Sequence, residues 1–259
     1  MPFTTANGIS IHYKLSGQKG PVVLLLHEMG GSLESWDQVA PGLSESFRVL
    51  RYDQRGAGLT EKVRQPFTNE TAVEDIEGLL QELKLDPPYH IVAVAASSTQ
   101  ALLFRERHPN WVASLVLCNP ALGVDPSRAG ALNDRADLAE REGMRGVLSM
   151  TLEKSYPPEL TDRETYENYR GRYLGNDPVG FAHANRMLAR TNVTGMLPDI
   201  KCPTLVVGGR QDTVRPPAGS QEIAGKIPGA RFELIDAGHF MPTTGAAALL
   251  GLLKDFLRK

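Results

Sequence analysis

The sequence predicts an α/β protein with a doubly wound, mostly parallel sheet and an inserted all-helical cap. Three observations carry that reading. Short β-branched apolar runs alternate with segments whose apolar residues recur at helical spacing, the mark of repeated β–α units. Several of these runs are apolar at every position, as strands covered on both faces must be. One long block, from about Gly123 to Leu197, breaks the rhythm and contains no convincing strand.

The elements follow in order. Residues Ile9 to Leu15 alternate with period two, which predicts an antiparallel strand with one face in solvent. Val22 to His27 is continuously apolar and reads as a central buried strand, and Phe47 to Asp53 as the next. A Gly-rich loop, Asp53 to Thr60, precedes a helix over Glu70 to Leu85, where Val73, Ile76, Leu79, Leu80 and Leu83 share a face. Pro87 and Pro88 stop it. Strands at Tyr89–Val94 and Val112–Asn119 flank a helix over Ser97–His108, closed by Pro109. In the strand-free block, helices near 131–142, 144–155, 162–174 and 178–190 are separated by Gly143, Pro157–Pro158, Gly175 and Pro178. Strands resume at Thr204–Gly209 and Ala230–Asp236, with helices near Pro217–Ile227 and Gly245–Leu257. The expected division is a core of 1–122 and 198–259 and a cap of 123–197.

Composition narrows the function classes. The chain has 259 residues, 41% apolar and 22% charged, with net charge −2 and no basic patch, which argues against nucleic acid or an anionic membrane as partner. No stretch approaches the roughly 20 apolar residues that span a bilayer. The N-terminus, MPFTTANGIS, lacks a basic segment followed by an apolar one, so no signal peptide is expected. Cys118 and Cys202 lie far apart in apolar runs and read as buried, reduced thiols, with the cytoplasm as the default compartment. No metal or cofactor is implied. The expected partner is a small molecule, and the chain is expected to be a monomer or homodimer.

Four stretches, LLLHEMGGSLESW, YDQRGAGLT, HIVAVAASSTQALLFRERHP and the pair GGRQDTVRPP with DAGHFMP, occur in order over nearly the full length. On these residues the chain resembles the α/β-hydrolase superfamily, and within it the enol-lactonase and C–C-bond hydrolase branches, which carry a helical cap at this place. The resemblance implies that His239, directly after the last strand, is the general base, a role that needs an imidazole titrating near neutral pH. It implies that Asp212 orients His239 and stabilises its cation. The bland readings are a loop histidine and a turn-forming aspartate. Asp125 is the alternative acid.

The nucleophile position departs from the family. The elbow pattern is small-x-nucleophile-x-small at a strand-to-helix turn. Centred on residue 95 it reads Ala93-Val-Ala-Ala-Ser97; centred on residue 97 it ends on the bulkier Thr99. Related elbows carry a strand-start His about five residues earlier and a helix-ending proline about fourteen later. His90 and Pro109 both point to Ala95. A methyl group forms no covalent intermediate. Three readings follow. Alanine was introduced for serine or cysteine; it is natural and the chemistry runs through His239 and Asp212 without a covalent step; or Ser97 serves instead. Ser97 and Ser98 read more simply as helix-start residues. The drifted surroundings, Val94-Ala-Ala-Ser-Ser-Thr99, favour a natural alanine.

By position, the backbone N–H groups of Met29 and Ala96 would form the oxyanion hole. Glu28 stands where the family has glycine, and reads equally as a side chain that points to solvent or bonds a neighbouring backbone N–H, or as a perturbed acid or base in the pocket. His27 reads as a brace for the loop, and Asp53 with Arg55 as an ion pair fixing the loop beneath the site. Trp36, His183 and Met187 complete the candidate substrate-binding set, with Trp36 expected under the oxyanion loop. The expected function is hydrolysis of a small ester, lactone, amide or C–C bond by a His239–Asp212 pair and a backbone oxyanion hole, without a covalent serine intermediate. The alternatives are a cofactor-free lyase or oxygenase, a serine hydrolase with its nucleophile replaced, and a non-catalytic binder.

Overall fold

In the computed structural model, which describes residues 2–258, eight strands form one sheet. They are β1 (Phe3–Ala6), β2 (Ile9–Ser16), β3 (Val22–Leu26), β4 (Arg48–Tyr52), β5 (Tyr89–Val94), β6 (Val112–Cys118), β7 (Thr204–Gly209) and β8 (Arg231–Ile235). Their order is β1-β2-β4-β3-β5-β6-β7-β8; the β1–β2 and β2–β4 pairs are antiparallel and the other neighbours pair in parallel. The continuous apolar runs have the expected cause. In β3, β5 and β6 alternate residues enter two separate cores: Leu24, Ile91 and Leu115 on one face, Val23, Val92 and Val116 on the other.

The helices of the core are α1 (Ala40–Ser44), α2 (Asn69–Glu82), α3 (Ser97–Arg107), α8 (Pro217–Lys226), α9 (Met241–Thr244) and α10 (Ala246–Leu257). The insertion holds α4 (Pro126–Gly146), α5 (Leu152–Ser155), α6 (Arg163–Leu174) and α7 (Pro178–Ala189). Long helices α4 and α7 pack together and are tied by Arg186 to Asp137 and Glu140. A third apolar cluster, including Tyr156, Tyr169, Tyr173 and Phe181, fills the space beneath this cap.

Three local expectations need correction. Residues 144–155 are not one helix: α4 runs to Gly146 through a kink at Gly143 (φ +73°), and only Leu152–Ser155 is helical thereafter. Strand β1 went unread, although Asn7-Gly8, both at positive φ, is a hairpin turn signal that pairs Phe3–Ala6 with β2. Cys202 is half-buried rather than buried, whereas burial pushes the Cys118 thiol up to about 12. No described helix is long and apolar enough to cross a membrane.

Candidate active site

The site assembles at the C-terminal ends of the parallel strands, where an open α/β sheet places its ligands. Past β7 the chain turns through Asp212, and past β8 it reaches His239. Nδ1 of His239 lies 2.7 Å from Asp212 Oδ2, and both residues are buried. The other carboxylate oxygen, Oδ1, accepts the backbone N–H groups of Val214 and Arg215, each at 2.8 Å. Asp212 is thus held by its own turn and presents one oxygen to the imidazole. With Nδ1–H donating to the acid, Nε2 is the basic nitrogen, and it has no protein partner among the described residues.

Asn119 fastens these two loops together. It follows β6 in the left-handed region (φ +46°) and is fully buried. Its Oδ1 accepts the Gly209 N–H at 2.8 Å, and its Nδ2 donates to the carbonyls of Gly238 and His239 at 3.0 and 3.2 Å. Gly209 allows this close approach, because a Cβ there would sit 2.6 Å from the Ala237 carbonyl oxygen. Sequence reasoning passed over Asn119. Its signal was a polar residue closing a wholly apolar strand just before Pro120.

Ala95 sits between β5 and α3 at φ +51°, one of four non-glycine residues at positive φ. That conformation costs an L-residue with a Cβ roughly 1–2 kcal/mol. The turn is locked by Ala95 N–H donating to the Cys118 carbonyl and by its own carbonyl accepting Ser98 and Ala121 N–H. The Ser97 hydroxyl is committed elsewhere. It accepts the Val94 N–H at 3.0 Å and reaches the carbonyl oxygens of Val94 and Leu26 at 2.9 and 3.1 Å. Ser97 braces the turn from inside and is not presented beside His239.

The loop after β3 runs His27-Glu28-Met29-Gly30-Gly31. His27 holds it to the loop after β4: Nδ1–H donates to the Glu28 carbonyl at 2.7 Å and Nε2 accepts Gln54 N–H at 3.0 Å. Neither Met29 N–H nor Ala96 N–H has a partner among the described residues. The Glu28 side chain is buried. Its Oε1 accepts Ser35 Oγ at 2.6 Å and the Tyr169 hydroxyl at 2.5 Å, while Oε2 has no partner. The solvated reading of Glu28 is therefore wrong. Burial, and after it the Glu28 carboxyl, holds the Tyr169 hydroxyl well above its ordinary pKa, so Tyr169 stays a donor.

His239, Ala95, Ala96, Met29 and Glu28 all border one cavity of about 470 Å³, which Tyr173 of α6 and Phe181 of α7 also line. A void of about 50 Å³ adjoins it, bordered by Ser97 and Met187. Several expected site residues lie elsewhere. Trp36 is fully buried in the core with Val39 and Leu43 and borders neither space. His183 donates its Nε2–H to the Arg64 carbonyl, 3.1 Å away, and packs on Phe67 where α7 meets the core. Met187 borders only the smaller void. Asp125 caps α4 through Ser127 and makes no contact with His239. Asp53 and Arg55 are not a pair: Asp53 bonds His12 and the N–H groups of Leu33 and Leu59, and Arg55 bonds Asp75 on α2.

With this geometry in place, comparison with known proteins decides the family. The signature of the alpha/beta hydrolase fold matches residues 21–246. The chain belongs to the α/β-hydrolase fold family. A putative carbamate hydrolase RutD from Caulobacter vibrioides is 27% identical over 273 residues, covering 99% of this chain and 98% of that protein. The 3-oxoadipate enol-lactonase 1 of Acinetobacter baylyi is 24% identical over 262 residues, covering 98% and 96%. The crystal structure of the enol-lactonase from Burkholderia xenovorans LB400 superposes with a TM-score of 0.93 at 29% identity, covering 100% of both chains. Within that fold, the strand-to-helix turn of this chain carries alanine.

Proposed function

We propose that the protein hydrolyses a small organic substrate by base catalysis, with no covalent enzyme intermediate. The observation that carries this reading is Ala95 itself. It occupies the strained turn beside the cavity that holds His239, while the neighbouring Ser97 hydroxyl is consumed by Val94 and Leu26. The relatives named carbamate hydrolase and enol-lactonase support a small hydrolysable substrate.

In this mechanism water in the cavity gives its proton to His239 Nε2 and its oxygen adds to the substrate carbonyl carbon. The carbonyl π electrons move to oxygen, which the free N–H groups of Met29 and Ala96 receive. Asp212 stabilises the imidazolium, which then returns the proton to the leaving group as the carbonyl re-forms. Ester, lactone, amide and C–C substrates all fit this scheme.

The test is turnover of an ester, lactone and enol-ketone panel with and without a fluorophosphonate. The protein should turn over a panel member, show no acyl burst and resist labelling. Ala95→Ser should gain labelling at residue 95, because the elbow is already formed. Labelling at Ser97 in the unaltered protein would overturn the assignment. Tight binding of a panel member with no turnover would make the protein a binder.

A further inference from the structure

The cavity contains three arginines that the base mechanism does not use. Arg128 and Arg135 come from α4 of the cap, and Arg215 from the loop that carries Asp212. None forms an ion pair among the described residues, although nine other arginines do. Arg128 is exposed, which costs little. Arg135 and Arg215 are half-buried, and an unpaired cation taken from water is expensive. Burial, with the Arg128 charge acting in the same direction, holds both guanidinium groups below their ordinary pKa, against a smaller opposing effect of Tyr173 on Arg135 and of Asp212 on Arg215. Arg128 thus repels both Arg135 and Arg215 within a single cavity.

Their donors are available and partly aimed. Arg135 is fixed by Nε donating to Asn185 Oδ1 at 2.5 Å, and Asn185 in turn donates to the Phe181 carbonyl. This leaves the two terminal nitrogens of Arg135 for an end-on pair of bonds. Arg215 has its backbone N–H on Asp212 and its whole guanidinium uncommitted. The carboxyl groups that border the cavity form no ion pair with these arginines: Glu28 Oε1 accepts Ser35 and Tyr169, and Asp125 Oδ1 accepts Ser127.

We propose that the substrate carries a carboxylate remote from its reacting carbonyl, and that Arg128, Arg135 and Arg215 hold it. The two terminal N–H edges that Arg135 leaves free match the two coplanar oxygens of a carboxylate. The proposal rests on the cavity being the substrate site, as the function above requires, but not on how the bond is broken. Binding of the anion would quench the mutual repulsion of the arginines and so favour acidic substrates over neutral analogues of the same shape.

The experiment is calorimetric binding of monomethyl glutarate, its neutral diester dimethyl glutarate, and inorganic phosphate, at low salt, in the His239→Ala background to prevent turnover. The half-acid should bind about ten-fold more tightly than the diester, the worth of one charge-assisted pair. Arg135→Met and Arg215→Met should each lose about ten-fold for the half-acid and leave the diester unmoved, and Arg135→Lys should lose less. Equal affinity for half-acid and diester overturns the proposal. So does undiminished half-acid binding in the Arg135→Met/Arg215→Met double variant, or no half-acid binding at all. Phosphate binding tighter than the half-acid reassigns the site to phosphoryl groups and overturns the carboxylate. Turnover by the unaltered protein is read separately. Discrimination without turnover refutes the base mechanism and leaves the arginine site standing.

Discussion

The ends of β8 and β5 face one cavity and have kept different things. Past β8, His239 retains its acid, and the Asp212 carboxylate retains both backbone donors that hold it. Past β5, the turn retains its left-handed residue, its lock on Cys118 and Ala121, and its buried serine brace, but the residue at its apex has no reactive atom. The contrast separates two properties that a serine hydrolase presents together. The strained backbone of an elbow positions the helix start and the Ala96 N–H as well as the nucleophile. A side chain without a reactive atom does not release the backbone, because the other duties remain. A turn that served only to display a hydroxyl would have no reason to keep a conformation costing roughly 1–2 kcal/mol.

The comparison breaks first at His239. If the β8 side alone carries the chemistry, His239→Ala should lower kcat on a sensitive panel substrate by about 1,000-fold, with Asp212→Asn losing about 100-fold. Steady-state rates check both, and a loss under ten-fold in His239→Ala would mean that the base lies elsewhere. A smaller effect is expected where the two loops are joined. Asn119→Ala removes the shared clamp and should cost about ten-fold in kcat and about 1–3 kcal/mol of stability, read from denaturant midpoints. Unchanged kcat there would show that the β7 and β8 loops hold their register unaided. The smallest effect tests the strain at β5. Ala95→Gly should raise stability by about 1 kcal/mol, since glycine adopts positive φ freely. A loss of stability instead would mean that the Ala95 methyl contributes more by packing than its backbone costs.

Legibility in the sequence followed the same division. Strands such as Val22–Leu26 were plain because two-sided burial forces every residue to be apolar. His239, Asp212 and the apex at Ala95 could be located because short loops after strands keep fixed spacing from the strand ends. Contacts between segments distant in the chain were not readable. Tyr169 meets Glu28 across 141 positions, and nothing local marks either residue as a partner. Arg55 was matched with its near neighbour Asp53, yet it reaches Asp75 because α2 packs on that side of the loop. Trp36 and His183 illustrate the remaining gap. Proximity in sequence to a site says nothing about which way a side chain turns, and one turns into the core while the other turns into the cap seam.

The retained turn at Ala95 also has a consequence for descent. Alanine and serine codons can differ by a single base. The backbone at Ala95 holds a left-handed turn tied to Cys118 and Ala121 independently of the side chain, so on the proposed mechanism a change to serine would add a hydroxyl without reorganising the fold.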